Sequence, residues 1–310
     1  MKNLLFDYLC CRHCHASLIK KKKILICSLC KRRQGEIIDD NIIYTKFHAS
    51  ADLAISMKKW DKYYRKFLKN SVYKSYKQEY IDDYFTSEYK QITEVKNLAN
   101  KVYLEIGCGP MLLGQELASR AALVIGIDVS LNALRVAQRG FQKLGIKNYL
   151  LILGDILDMP IKNNCIDLIY GGGVIEHFKN TQKCVNELYR ILKRGSVSFN
   201  TVPYLNLGSL TYRQLWGNIP NFPILKEIAE FIHLKLLKAR HMTFGYELSF
   251  LGSTLKKIHR RAGFKTVKID RFEVKLCFDF LPRGILRNFC IFLAKNSPIF
   301  WPMVKVIAIK

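Results

Sequence analysis

The stretch "VYLEIGCGPMLLG" (residues 102–114) decides the fold. A short apolar run ends in a glycine turn and passes into a helical pattern, the strand–turn–helix opening of an α/β ligand site. Glu105 stands two residues ahead of Gly107, and the third glycine of a G-x-G-x-x-G fingerprint would fall on Leu112. A dinucleotide would bring its anionic pyrophosphate beside that carboxylate. An acid in this place favours a cationic ligand.

The pattern repeats downstream. Strand-like runs at 101–106, 122–128, 149–153, 166–170 and 196–202 alternate with helical stretches such as "LNALRVAQRGFQKLG" and "NTQKCVNELYRILKRG", in which Val185, Leu188, Ile191 and Leu192 share one face. Such alternation predicts a parallel sheet with helices on both faces and ligands at the carboxyl ends of its strands. Two further acids fall at such ends. Asp128 closes the second strand 21 residues after Gly107, where an acid accepts from both ribose hydroxyls, and Asp155 follows the third, in place for an adenine amino group. Each acid alone reads equally as a strand-end cap, but three at one sheet edge do not.

A nucleoside carrying a positive charge and no phosphate fits this set. S-adenosylmethionine has a sulfonium, an α-ammonium and a nucleoside; the glycines at 107 and 109 allow close backbone approach, and the following helix N-terminus can meet its carboxylate.

Five elements in order resemble the class I S-adenosylmethionine-dependent methyltransferases, most closely the UbiE-like group known as methyltransferase type 11. They are "LEIGCGP", "GIDVS", "GDILDMP", "CIDLIYGGGVIEHF" and "ELYRILKRGSVSFNTVP", and the resemblance runs over residues 58–310. It implies a Rossmann-like, seven-stranded, mostly parallel sheet with an antiparallel last strand. It also implies cofactor contacts from Glu105, Gly107, Cys108, Gly109, Asp128, Val129, Asp155, Ile156 and Gly171. The chain departs from the family at Met111, where motif I commonly has glycine, and at "LKRGS", where the usual turn is "LRPGG". Met111 is expected to narrow the methionine pocket.

Four cysteines, Cys11, Cys14, Cys27 and Cys30, form C-x2-C-x12-C-x2-C around "KKKK" and "ILI". Four thiolates fill the tetrahedral shell of Zn2+ and leave no open position, so the expected ion is structural. Cys10, His13 and His15 are alternative ligands nearby. With "GEIIDDNIIYT" (35–45) the segment resembles the Trm112-like zinc ribbon. The expected organisation is a ribbon over 1–45, a helical connection over 46–100 with Trp60, Tyr63, Tyr64 and Phe67 at helical spacing, and the methyltransferase domain over 101–310. Residues 80–91 read either as core packing or as part of a lid.

Net charge is +25, divided as +9, +4 and +12 over residues 1–100, 101–200 and 201–310. Basic flanks attract phosphate-bearing partners such as RNA, anionic lipid or a nucleotide-linked metabolite, or are simply solvated lysines. There is no apolar run of the ~18 residues that a membrane span needs, and the first ten residues lack a secretory pattern. A cytoplasmic protein, peripheral to the membrane at most, is expected.

Methyl transfer from a sulfonium is an in-line displacement that depends on alignment, and an oxygen or nitrogen nucleophile also needs a base. His177 in "GGGVIEHF" and His241 in "KARHMTFGYELSF" are the candidates; pocket support for the first and a surface position for the second are the alternatives. Two routes are disfavoured. "YGGGVIE" is not the Asn/Asp-Pro-Pro-aromatic motif of amino-group methylation, and no Pro-Cys or Thr-Cys follows strands four or five for pyrimidine C5 chemistry. The insertion at 203–250, with its apolar helix at 224–240, should cover the acceptor, making Tyr204, Trp216 and Tyr246 the substrate candidates. Residues 281–302, with Phe289, Phe292, Phe300 and Trp301 among Arg and Lys, read as packing under the last strand or as a membrane-surface contact. The expected acceptor is a small molecule or a lipid- or sugar-linked one. An RNA methyltransferase gripping phosphates through the ribbon is the second reading, and a non-catalytic ribbon scaffold is the third.

Overall fold

The computed structural model describes residues 4–39, 42–45, 51–69, 74, 77–78, 86–242, 245–272, 278 and 281–310. Of the lid candidate at 80–91, residues 80–85 lie outside this set, as do 46–50, where the ribbon was expected to meet the connection.

The strands are β1 (Leu18–Lys21), β2 (Ile24–Cys27), β3 (Arg33–Ile38), β4 (Ile42–Thr45), β5 (Val102–Ile106), β6 (Leu123–Asp128), β7 (Tyr149–Leu153), β8 (Ile166–Gly172), β9 (Leu192–Pro203), β10 (Ile219–Pro220), β11 (Leu248–Ser249), β12 (Thr266–Arg271) and β13 (Met303–Ile309). The helices are α1 (Ala51–Arg65), α2 (Thr86–Val95), α3 (Leu112–Leu117), α4 (Leu131–Lys143), α5 (Thr181–Ile191), α6 (Pro223–Glu230), α7 (Gly252–Ala262) and α8 (Ile285–Asn296).

Eleven strands form one sheet in the order β1-β2-β3-β4-β7-β6-β5-β8-β9-β13-β12. The seven from β7 to β12 are the expected Rossmann-like sheet: β7, β6, β5, β8 and β9 run parallel, and β13 slots antiparallel between β9 and β12. The other four belong to the ribbon, which extends the sheet instead of standing apart from it. Its last strand, β4, pairs parallel with β7, and the Thr45 hydroxyl donates to the Leu153 carbonyl at 3.2 Å. Both outer strands are largely exposed and carry Lys or Arg, which discourages further edge pairing.

The central strands bury both faces, as their continuous β-branched runs require. In β5, Val102, Leu104 and Ile106 join one core cluster while Tyr103 joins the cluster on the opposite face, and Glu105 follows Tyr103 by the strand's two-residue period. The insertion after β9 is tied down by a buried ion pair between Arg213 and Glu247, and by Arg213 Nη1 donating to the Pro302 carbonyl at 3.1 Å. Its apolar helix is α6 followed by a π-helical turn, Phe231–Leu236.

Helix α1 is held against the sheet's ligand edge by Asp61. Its carboxylate accepts from Ser130 Oγ at 2.9 Å, Asn132 Nδ2 at 2.8 Å and the Asn132 backbone N–H at 3.2 Å. A negative charge is thus placed at the N-terminus of α4, where the helix dipole favours it. Lys59 on α1 also donates to the Ala239 carbonyl at 3.0 Å. Asp61→Ala is expected to cost about 1 kcal/mol of local stability, the usual value of a lost cap. Amide exchange across 51–65 should then speed up roughly fivefold with the sheet unchanged. Unaltered exchange there would show that α1 is held by packing alone.

Candidate functional site

The strand order reverses at β5, which lies between β6 and β8, and open α/β sheets bind ligands at such a point. A cleft lies there. Its walls are Gly107 after β5, Asp128 and Val129 at the end of β6, Ile156 after β7, and Gly172, Gly173 and Val174 at the end of β8. His177 and Phe178 close one end, and Ser56, Trp60 and Tyr64 from α1 form the roof. A second cavity shares Tyr64, Gly107 and Gly172 with the first and adds Glu105, Cys108 and Met111.

The turn after β5 needs its glycines. Gly107 has φ +54° and Gly109 φ +50°. A methyl on Gly107 would stand 2.7 Å from Val174 Cγ2, and one on Gly109 would stand 2.6 Å from the Tyr64 hydroxyl. Met111 holds a left-handed φ of +53° without being glycine. Its side chain is fully buried against the bare backbones of Gly114 and Gly126 and borders the second cavity beside Glu105.

The three acids have distinct surroundings. Asp128 is buried; its Oδ2 accepts from the Gly109 N–H and its Oδ1 from the Ser130 N–H, both at 2.8 Å. Burial pushes its pKa up to about 6 even though the N–H groups of Ser130, Gly109 and Val129 favour the charged form. Glu105 Oε2 accepts from the Gly114 N–H and from the Tyr103 hydroxyl, each at 3.1 Å, so this acid anchors α3 as well as lining the second cavity. Asp155 caps its own turn through the Leu157 N–H at 2.9 Å; neither it nor Gly171 lines either cavity, and their neighbours Ile156 and Gly172 do. The buried Cys108 thiol is pushed up by burial and by Asp128 and Glu105, which leaves it un-ionised and unreactive.

His177 and His241 separate clearly. His177 Nδ1 lies 2.6 Å from the Tyr246 carbonyl. A carbonyl only accepts, so Nδ1 carries the proton and Nε2 is the basic nitrogen of the neutral ring. The ring stands in the wall between the cleft and a groove of about 660 Å3 lined by Lys179, Asn180, Gln182, Asn221 and Lys226. His241 is instead bound through Nε2 to His233 Nδ1 at 3.0 Å, and His233 Nε2 donates to Gln214 at 2.9 Å. It belongs to the fastening of the insertion.

The substrate candidates are likewise outside the cleft. Tyr204 packs near Trp301, and Trp216 lies edge-on to Tyr212. The buried Tyr246 hydroxyl donates to Glu230 at 2.7 Å. Residues missed in the sequence are Ser56 and Val174; Trp60 and Tyr64 were read as packing, and Glu176, beside His177, as architectural. Glu176 is buried and its Oε2 has no partner among the described residues. Burial, and the nearby Glu247, raise its pKa well above the ordinary carboxylate value.

At the far end of the sheet, the sulfurs of Cys11, Cys14, Cys27 and Cys30 lie within 4.8 Å of one another, with Cys14–Cys27 at 3.4 Å and Cys11–Cys30 at 3.7 Å. Sulfurs about 2.3 Å from a common tetrahedral ion are about 3.8 Å apart, so the group can hold a metal. The backbone N–H groups of His13 and Cys30 point at the Cys11 and Cys27 sulfurs at 3.4 and 3.3 Å, as thiolates require. Cys10, His13 and His15 are not members of this group.

Residues 97–210 match a family described as a methyltransferase domain. The chain is similar to the ubiquinone biosynthesis O-methyltransferase of Pseudomonas fluorescens, with 32% identity over 36% of this chain and 48% of that protein; it thus spans about half the length of such relatives. It is 24% identical to the demethylmenaquinone methyltransferase of Lactiplantibacillus plantarum over 59% of this chain and 78% of that protein. Among solved structures, phosphoethanolamine N-methyltransferase 2 of Haemonchus contortus, bound to phosphomonomethylethanolamine and S-adenosylhomocysteine, aligns with a TM-score of 0.52 at 20% identity, covering 72% of this chain and 52% of that one. The strand order, the cleft at its reversal and the matched sequence agree on a methyltransferase domain over residues 97–210.

Proposed function

We propose that the chain transfers a methyl group from S-adenosylmethionine to a hydroxyl of a small apolar aromatic acceptor of the quinol type. The observation that carries this reading is the convergence of Gly107, Asp128, Val129 and Ile156 on one cleft with His177 at its end. The residues fit the cofactor. Backbone N–H groups take part of the Asp128 carboxylate's accepting capacity, and the remainder suits a ribose diol. Ile156 and Val129 offer apolar faces to a base, and the turn at Gly107–Gly109 brings backbone close to the methionine end, with Glu105 below it for the ammonium. The cofactor supplies an electrophilic methyl group on a cationic sulfur.

The chain's own contribution is positioning, proton removal and exclusion of water. Trp60, Tyr64, Val174 and Phe178 make the walls apolar and aromatic, which favours a flat acceptor. His177 Nε2 takes the hydroxyl proton as the oxygen attacks, while the Tyr246 carbonyl holds the Nδ1 proton and stabilises the imidazolium. Ser56, Trp60 and Tyr64 of α1 cover the cleft and shield it from water. The acceptor approaches through the groove that shares His177. We assign the four-cysteine group to a structural Zn2+, with the ribbon bracing the loop that carries Asp155 and Ile156: Cys10 N–H donates to the Pro160 carbonyl at 3.0 Å and Arg12 pairs with Asp158 at 3.2 Å.

Transfer of labelled methyl from S-adenosylmethionine to a catechol-type quinol, with transfer RNA as the competing acceptor, tests the reading. Incorporation into the quinol alone is expected, and incorporation into RNA alone would replace it with the RNA reading. Replacing His177 by Gln should lower kcat by about 10²–10⁴-fold with cofactor affinity within about twofold; an unchanged kcat would mean that the proton leaves by another route. Asp128 must be ionised to accept two ribose hydroxyls. Cofactor affinity should therefore be constant above its folded pKa of about 6 and fall as pH drops through it, by up to tenfold per unit. The purified chain should carry one zinc, and Cys14→Ser with Cys27→Ser should abolish it and lower Tm. Metal-free wild type with an undiminished Tm would deny the ion a structural role.

A further inference from the structure

The helix over 223–236 is inside out. Its inward positions are Ala229, Glu230, His233 and Leu234, and two of these are fastened by polar bonds: Glu230 to Tyr246 at 2.7 Å and to Lys179 at 3.2 Å, His233 to Gln214 at 2.9 Å. Its outward face carries Ile224, Ile228, Phe231, Ile232 and Leu236, between 40% and 69% exposed. Scattered exposed apolar residues are ordinary, but a contiguous helical stripe of them marks a binding surface.

The stripe has a second half. Helix α8 turns Cys290, Ile291 and Ala294 toward Phe278 and Tyr212, and leaves Ile285, Phe289 and Phe292 between 54% and 90% exposed. Both helices lean on the one segment Tyr212–Trp216, through Tyr212 on one side and Gln214 on the other, and Leu215 of that segment is itself 65% exposed. Charge distinguishes between partners. Residues 223–246 carry Lys226, Lys235, Lys238 and Arg240 against Glu227 and the inward-fastened Glu230, and 281–300 carry Arg283, Arg287 and Lys295 and no acid. Apolar residues flanked by an excess of cations suit an anionic lipid surface, with acyl chains below and headgroup phosphates around. Two copies of the surface would instead set net positive charge against net positive charge.

We propose that this surface docks on the face of an anionic membrane, with the two helices lying in the interface and not crossing it. No helix among the described residues is long and apolar enough to span a bilayer. The groove at His177 is lined by Lys226 of α6, so docking sets its mouth at the headgroups, where an apolar acceptor partitions. The docking does not depend on the reaction proposed above.

The test is co-sedimentation of the full chain, zinc-loaded, with vesicles of phosphatidylcholine alone and with 30% phosphatidylglycerol (chosen to supply roughly physiological surface charge). A net charge of +25 draws the protein toward any anion, so the apolar variant is decisive. Ile228→Ser/Phe231→Ser/Ile232→Ser should weaken partitioning onto the anionic vesicles at least about tenfold while retaining the wild-type far-ultraviolet spectrum. Lys235→Glu/Lys238→Glu/Arg240→Glu, which leaves the apolar face intact, should weaken it by a similar factor and removes dependence on one variant's folding. Wild type that stays in the supernatant with both vesicles, or both variants sedimenting like wild type, overturns the proposal. So does a dimer by light scattering that the serine variant dissociates, since a second copy would then cover the surface.

Discussion

The geometry of the ligand edge depends on one buried carboxylate. Asp128 accepts from the N–H of Gly109 in the turn after β5 and from the N–H of Ser130 at the start of α4. It therefore fixes two strand-end turns against each other across the point where the sheet order reverses. Burial opposes its ionisation and raises its pKa to about 6. Asp61 adds to that elevation from α1, because it sits on the same helix N-terminus. The roof and the floor of the cleft thus share one electrostatic arrangement, in which two acids compete for the positive end of α4.

The ribbon enters this arrangement through the sheet. Its strand β4 continues the parallel ladder at β7, and its N-terminal segment bridges to Ile161 beyond the 155–158 loop. A segment with too small a core of its own is joined to a large one, and the cysteine group ties together the turns that flank β1 and β2. The loop bearing Ile156 is consequently braced on both sides, by Arg12 from the ribbon and by Arg190, which donates to the carbonyls of Met159 and Ile161.

Much of this was legible in the sequence for physical reasons. Runs such as "YLLIL" and "ALVIGID" have no polar face and no room for a helix, so their strands and their burial follow directly. The spacing of Cys11, Cys14, Cys27 and Cys30 carries its geometry with it. Asp128 was legible because its strand ends there. The cover was not. Whether Trp60 and Tyr64 face the core or the cleft is settled by Asp61, whose partners Ser130 and Asn132 lie about 70 residues away in the chain. Tyr204, Trp216 and Tyr246 were assigned from the insertion's position, whereas Arg213, Glu247 and His233 turn the insertion so that its polar residues face inward. Met111 was read as narrowing the methionine pocket, and it does border the cavity beside Glu105; what the sequence did not show is its left-handed backbone, which packs the side chain against Gly114 and Gly126.

The central claim is that this edge holds S-adenosylmethionine through Asp128. Calorimetric titration of the cofactor into the zinc-loaded chain at pH 7.5, repeated with Asp128→Ala, tests it most directly. The account predicts saturable one-to-one binding in the wild type, weakened at least about a hundredfold in the variant by the loss of two charge-assisted hydrogen bonds. Equal affinity in the two proteins, or no binding to wild type at millimolar cofactor, would contradict it.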